Sequence, residues 1–388
     1  MPHRSRLRRT ALPAGLLALC LSSPATAVDF TLGDTQASVY GFAKLDLIYD
    51  TDNDLGDLAA RPKILIDGQQ GSDDHFRAHA YQSRLGFKTQ TPVDGSSLTT
   101  RIEVDWMQNP PEGGELRLRH AYGSWNGVLA GKTWTNFGSR LSRTPIIDFA
   151  PSPGQSKSGR KAQLRYSAGG FHAALENPDP DDFRDGVASA FNPARGVYRV
   201  DDNARQSMPD LTLRYQTAGD RLAYSAAAMG RRLSVDGDVD DSALGWGVSA
   251  ATRFKASEML TLRGALTYGD GIGEYLQNNP SAPAFVNGNS VDTVSAWGAN
   301  LGASLAAGPG AINLGYGISR ADLDDIRDAG LPGAESANKQ FEAVHLNYIW
   351  SPATRVAYGV EAGYHTREVA DGRDGDALRL QGMVKYAF

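Results

Sequence analysis

Arginine is the residue whose placement suggests chemistry. Arg84, Arg101, Arg117, Arg119, Lys132 and Arg165 stand on the polar side of segments that alternate apolar and polar residues, and Arg214, Arg253, Arg263, Arg355 and Arg379 repeat the arrangement. Arg140, Arg143 and Arg160 share one 27-residue stretch, 135 to 161, with Lys157, Lys161 and a single acid, Asp148. A guanidinium stays charged and offers a planar fork of donors that fits a carboxylate with two parallel hydrogen bonds. On the polar side of the alternating segments eleven bases face four clear acids, Asp46, Glu103, Asp105 and Glu361. Such an excess predicts a wall that attracts anions, carboxylates above all. The competing use of any one base is local pairing, as of Arg101 with Glu103 or Asp105.

Covalent catalysis finds less support. His75, His79, His120, His172, His345 and His365 form no recognisable nucleophile or metal spacing. His365 lies close to Asp371, and the expectation there is a solvated rim histidine rather than a proton-transfer pair. The acid runs Asp179, Asp181, Asp182 and Asp322, Asp324, Asp325 lack the EF-hand spacing and read as solvated loops. No metal, cofactor or catalytic residue is predicted, and an enzyme at a barrel rim is the weaker alternative.

The elements that must position the arginines are strands. From residue 38 onward apolar residues recur at every second position, the period of a strand and not of a helix. Leu98, Thr100, Ile102, Val104 and Trp106 share one face while Arg101, Glu103 and Asp105 share the other. The same alternation sets Leu378, Leu380, Val384, Tyr386 and Phe388 against Arg379, Gln381, Met383 and Lys385. One face suits lipid and the other water, so the fold class predicted is all-β: a transmembrane antiparallel β-barrel of about 16 strands. The strands fall near 38 to 50, 76 to 89, 97 to 107, 114 to 126, 128 to 134, 162 to 168, 171 to 176, 209 to 217, 220 to 231, 242 to 255, 258 to 269, 291 to 306, 309 to 320, 339 to 351, 353 to 368 and 376 to 388. Tight turns such as Asn126-Gly127, Gly169-Gly170 and Ser351-Pro352 alternate with the long connections 51 to 75, 135 to 161, 177 to 208, 270 to 290 and 321 to 338. Stretch 135 to 161 follows the fifth strand, the place at which trimeric porins, which this strand pattern resembles, fold a loop into the channel; the resemblance implies that it is a constriction loop in the lumen.

Composition sets the outer bounds. The 388 residues carry 39 Lys plus Arg against 44 Asp plus Glu, which disfavours a nucleic-acid partner. Beyond residue 27 no run approaches the ~18 apolar residues of a membrane-spanning helix. Arg4, Arg6, Arg8 and Arg9 precede the apolar stretch 11 to 21 and the small residues Ala25-Thr26-Ala27, a secretory signal peptide with cleavage after Ala27. Residues 28 to 388 then form one barrel domain. The sole cysteine, Cys20, lies in the leader, so the mature protein can form no disulfide. Loops 51 to 75, 177 to 208 and 321 to 338 are acidic, and loop 135 to 161 alone is basic.

Four stretches carry a family resemblance: Val39-Tyr40-Gly41-Phe42-Ala43-Lys44-Leu45-Asp46, Gln82-Ser83-Arg84-Leu85-Gly86-Phe87-Lys88-Thr89, Leu116-Arg117-Leu118-Arg119-His120-Ala121-Tyr122-Gly123, and Gly131-Lys132-Thr133-Trp134-Thr135-Asn136-Phe137 leading into Asp148-Phe149. Over roughly residues 39 to 165 the chain resembles the DcaP-like trimeric outer-membrane porins. The resemblance implies a homotrimer in the outer membrane of a Gram-negative bacterium, in contact with its lipid, that admits small negatively charged solutes, dicarboxylates among them. By position it puts the solute-drawing bases at Arg84, Arg117, Arg119, Lys132 and Arg165 on the wall and Arg140, Arg143 and Arg160 on the loop. Only Val28 to Ala37 separate the leader from the first strand, too few for the coiled coil of some members, so a trimer must form through barrel walls. Flat faces such as Ala226 with Ala228 would permit that. Transport would be passive, since nothing resembles a plug domain. A general or carbohydrate-permeable porin is the alternative, but the inward aromatics Tyr40, Phe42 and Trp134 are too few for a sugar track.

Overall fold

The computed structural model describes residues 28–108, 114–157, 159–178 and 185–388. Among these, sixteen antiparallel strands close into a barrel: β1 (Thr35–Asp50), β2 (Arg84–Val93), β3 (Ser96–Gln108), β4 (Glu115–Trp125), β5 (Val128–Trp134), β6 (Arg160–Ala168), β7 (Phe171–Glu176), β8 (Asp210–Gln216), β9 (Leu222–Asp236), β10 (Asp240–Lys255), β11 (Leu260–Asp270), β12 (Ser295–Ala307), β13 (Gly310–Ala321), β14 (Asn338–Ala353), β15 (Val356–Val369) and β16 (Asp374–Ala387). Closure is the pairing of β1 with β16, from Phe42 opposite Ala387 to Asp50 opposite Arg379. A closed barrel leaves no backbone donor or acceptor unpaired in lipid. The leader expected at 1 to 27 and the cluster Asp179, Asp181 and Asp182 lie outside the described residues.

Alternation decides which side each residue takes. Leu45, Leu47, Leu85, Phe87, Ile102, Leu164, Leu266, Leu301 and Leu346 are exposed on the outer face, while Asp46, Glu103, Asp105, Asn300, Asn347 and Gln381 are buried on the inner one. Trp125, Tyr166, Phe171, Tyr224 and Tyr386 sit exposed near the tight turns, and Trp106, Trp246, Tyr268, Trp297 and Tyr364 near the long loops, two aromatic belts suited to the membrane interfaces. The turns Asp94-Gly95, Asn126-Gly127 and Gly169-Gly170 have positive φ at both central positions, the geometry that matches strand twist in a two-residue hairpin.

Several boundaries differ from expectation. The second strand divides: Arg84–Val93 pairs with the first half of β1, and a separate segment, His75–His79, pairs with its end. The Ser83 hydroxyl, 3.0 Å from the Lys44 amide, accepts a hydrogen bond at the break. The β14–β15 turn falls at Thr354-Arg355, past the expected Ser351-Pro352, because a register shift after Trp350 lengthens β14. Loops 177 to 208 and 270 to 290, with the start of the strand expected at 291 to 306, are not structureless: Val187–Asn192, Val197–Val200, Ala284–Asn287 and Ser290–Thr293 form a four-stranded sheet at the outer end, and the barrel strand begins only at Ser295. Under it Tyr198, Ile272, Tyr275, Phe285, Leu323 and Ile326 bury an apolar core of their own.

Candidate functional site

The loop after β5 crosses the lumen. Near its start the Asn136 amide is bound by Glu176 of β7, and the Gly138 carbonyl accepts from Arg214 of β8 at 2.8 Å. Asn300 of β12 reaches the Ser142 carbonyl at 2.9 Å, and Asn347 of β14 the Pro145 carbonyl at 2.9 Å. Glu361 of β15 accepts the amides of Ile147 and Asp148 at 2.8 and 2.9 Å, and Lys44 of β1 donates to the Ile147 carbonyl at 3.1 Å. Arg379 of β16 then holds Asp148 at 2.9 Å, so the wall grips the loop mainly through its backbone. Wall glycines let it lie flat. A Cβ on Gly302 would come within 1.8 Å of Thr144 Oγ1, and one on Gly317 within 2.3 Å of the Pro153 carbonyl.

Beside this grip β2, β3 and β4 carry the wall arginines. Arg117 forms a fork on Asp105, Nε to Oδ1 at 2.9 Å and Nη2 to Oδ2 at 2.8 Å. Arg119 binds Glu103 at 2.7 Å and also Asp105. Arg101 binds Glu103 at 2.5 Å and the Tyr40 hydroxyl at 2.6 Å, and Arg84 lies 3.4 Å from Glu103. Four guanidiniums therefore share two carboxylates. The competing pairing of Arg101 is the one made, with Glu103, yet Glu103 is divided among Arg84, Arg101 and Arg119.

A bulge concentrates these charges. Glu103 faces His120 across the ladder but Val104 faces Leu118, which leaves Arg119 as an extra residue on β4. Arg119 and His120 are consequently both buried inside, although adjacent side chains on a regular strand point to opposite faces. His120 Nδ1 meets Thr133 Oγ1 at 3.0 Å.

The loop adds Arg140 and Arg143, and the start of β6 adds Arg160. Among the described residues none of the three makes an ion pair. Arg160 lies 4.6 Å and Arg140 5.2 Å from the ring centre of Trp134, and Arg119 5.9 Å from the same ring. An indole face attracts cations, so one aromatic gathers three guanidiniums that would otherwise repel one another. Phe149 plays the same part for Arg117 at 5.1 Å. Burial pushes the Arg143 guanidinium down to about 10, and the like charges of Arg140, Arg119 and Arg84 push the same way. In total Arg84, Arg101, Arg117, Arg119, Arg140, Arg143 and Arg160 stand against Glu103 and Asp105.

Other expected positions are corrected. Lys132 lies in one row with Ile102, Ala121 and Ala162, and Ile102 is exposed on the outer face, so Lys132 points away from the lumen. Its strand misleads because the inward face carries the apolar Leu129. Arg355 occupies the turn beyond β14 with φ 69° and is exposed. Arg165 does face inward, opposite Leu129, but near Arg214 and Glu176 and apart from the cluster. The loop acid Asp148 is neutralised by Arg379, which also forks onto Asp50 at 2.7 and 2.8 Å. Burial raises the Asp148 carboxyl, but Arg379 and the Ala150 amide outweigh it and hold the group below its ordinary value. His365 is fully buried against His345, not solvated at the rim.

Sequence reasoning also missed inward acids. Asp50, Glu176 and Asp210 are fully buried and bind Arg379, Thr135 and Tyr275 respectively. Asp50 and Glu176 lie at the last rung of a strand and Asp210 at the first, where the alternation is shortest; their only signal was their phase with the strands they end.

A closed sixteen-stranded barrel with a lipid-facing apolar belt, a polar interior and a loop strung across the lumen defines an outer-membrane channel of the porin class. The chain belongs to the DcaP outer membrane protein family, whose model matches residues 18–388. Its fold is similar to the outer membrane channel DcaP of Acinetobacter baumannii, with a TM-score of 0.80, 27% identity, and 92% of this chain covering 99% of that one. It also resembles the anion-selective porin from Comamonas acidovorans (TM-score 0.57, 13% identity, 91% of this chain and 100% of that one). Salmonella typhi OmpF in complex with daunomycin has the same TM-score, 0.57, at 10% identity over 93% of this chain and 100% of that one. At such identities the last two share the fold alone. A search of the curated protein sequences finds no match.

Proposed function

We propose that this channel is anion-selective and passes small carboxylates, dicarboxylates among them, by passive diffusion. The observation that carries the reading is seven arginines around two carboxylates where the loop meets β2, β3 and β4. Low-dielectric walls focus the field of such a cluster and raise the local concentration of counter-ions. Loop arginines without carboxylate partners keep their forks for a solute, and the crowded wall gives several weak sites instead of one tight one, as conduction requires. General or carbohydrate permeation with weak charge selectivity has no observation of its own in its favour, and no covalent chemistry is needed. Residues 1 to 27 serve as the export leader in this reading, and the barrel assembles as a homotrimer through its walls.

The test is the reversal potential of the refolded protein in a planar bilayer under a salt gradient, repeated with a small dicarboxylate replacing chloride. Anion preference with dicarboxylate current or block is expected. Permeability favouring potassium over chloride would sink the proposal. For the assembly, gel mobility at the monomer mass without heating in mild detergent would remove the trimer.

A further inference from the structure

Beyond the arginine cluster, the loop 51–74 meets the constriction loop at a buried seam. Arg61, which opens a short 3-10 turn (Arg61–Lys63), has no exposed surface. Its Nη2 lies 3.4 Å from the Pro151 carbonyl, and its Nε and Nη1 have no hydrogen-bond partner among the described residues. His345 on β14 and His365 on β15 are equally buried, their rings edge to face with centres 5.2 Å apart. The Ser152 hydroxyl lies 3.2 Å from His345 Nδ1, so Arg61 and His345 flank the same dipeptide of the constriction loop. Among the described residues His345 Nε2 and both nitrogens of His365 are unpartnered, and the charge of Arg61 reaches both rings.

Among the described residues no carboxylate pairs directly with Arg61, and Asp148, the acid whose charge reaches it, is shared with Arg379. Asp148 gives Oδ1 to the amides of Ala59 and Ala150 and Oδ2 to Arg379. Asp50 gives both oxygens to Arg379, and Glu361 gives its own to the Ile147 and Asp148 amides and to Asn347. Buried polar groups are normally partnered, and a buried charge needs a counter-charge. Water would satisfy the donors but leave the guanidinium with only the shared charge of Asp148. An anion satisfies them and adds a charge of its own.

We propose that Arg61, His345 and His365 enclose a binding site for one small monovalent anion, a halide or the carboxylate of a one- or two-carbon acid. The N–H groups of Arg61 and one N–H from each imidazole hold it. Occupied, the site pins loop 51–74 to the constriction loop behind the pore, so the anion that the channel passes also stiffens the element that constricts it. The site is separate from the arginine cluster and stands or falls without it.

Crystals of the refolded protein grown in bromide, and thermal unfolding in detergent in chloride, formate or gluconate at equal ionic strength, test the proposal. A bromine anomalous peak between Arg61 and His365 is expected, with the unfolding midpoint higher in chloride or formate than in gluconate by on the order of 3 °C. A rise in chloride alone assigns the site to halide, and an equal rise in formate extends it to carboxylates. Arg61→Met should abolish the peak and the salt difference; should it not refold, His365→Leu, which keeps the guanidinium, should weaken both. Bromide found only at the constriction arginines, or equal midpoints in all three salts, would overturn the assignment.

Discussion

Arg379 donates Nη1 to Asp148 Oδ2 at 2.9 Å across 231 residues of sequence, joining the last strand to the loop that follows the fifth. The same guanidinium forks onto Asp50 of β1, so one side chain joins barrel closure to loop placement. Both partners and the arginine are almost wholly buried. Removing one member of such a set strands the others without a counter-charge, a loss of about 3–5 kcal/mol. Arg379→Gln should therefore lower the urea midpoint of the refolded barrel and produce flickering single-channel currents. Quiet traces and an unchanged midpoint would show that the ion pair is not what fixes the loop.

Acid should loosen the same contact in a defined direction. Arg379 and the Ala150 amide hold the folded Asp148 carboxyl below its ordinary value against the opposing effect of burial. A depressed carboxyl stabilises the folded state fully above its unfolded value near about 3.9 and loses that contribution as pH falls through the folded value. The stability difference between the native chain and Asp148→Asn should hence be constant from pH 7 to pH 5 and shrink only below pH 4. Thermal midpoints of the two proteins across that range make the measurement, and a difference that disappears by pH 6 would contradict it.

Selectivity should depend more on the loop than on the wall. Arg117 and Arg119 are partly neutralised by Asp105 and Glu103, whereas Arg140 and Arg143 make no ion pair among the described residues. Arg140→Glu with Arg143→Glu is expected to lower the chloride-over-potassium permeability ratio on the order of tenfold. Arg117→Ala, with Arg119 still beside Asp105, should change it much less. A larger effect from Arg117→Ala in reversal-potential measurements would move the selectivity filter to the wall.

Packing of the loop on the wall gives a steric test. Gly302→Ala places a methyl where Thr144 Oγ1 now lies, an overpacking cost of about 1–3 kcal/mol, and should displace the loop and alter the conductance. Thr144→Gly in the same chain removes the clash and should restore it. Failure of the double variant to recover conductance would mean that Gly302 matters for a reason other than room for Thr144.

Much of this channel is legible in the residues themselves. Period-two alternation is a local property of an extended chain, so Ile102 and Trp106 declare lipid and Arg101, Glu103 and Asp105 declare the interior with no knowledge of neighbours. Hairpins such as Asn126-Gly127 announce themselves because only a few residue types accept positive φ at both positions. The placement of loop 135 to 161 inside the barrel was implied by its resemblance to trimeric porins, which fold the loop after the fifth strand inward, and its length and bases agreed with that. Long-range pairing, by contrast, has no local signature. Nothing near Lys132 says that Leu129 is the inward neighbour, because that depends on register with β4 and β6. Nothing near Arg119 marks the bulge that turns Arg119 and His120 to the same side. Arg61 looks like a solvated base in an acidic loop, though Leu55, Ile64 and Ile66 around it hint at packing, and all three are buried. Strand number, the facing of most strand residues and the excess of arginine were thus determined by sequence alone. Which arginines are answered by acids was decided by tertiary structure, because charge compensation depends on distances between groups the chain brings together only on closing.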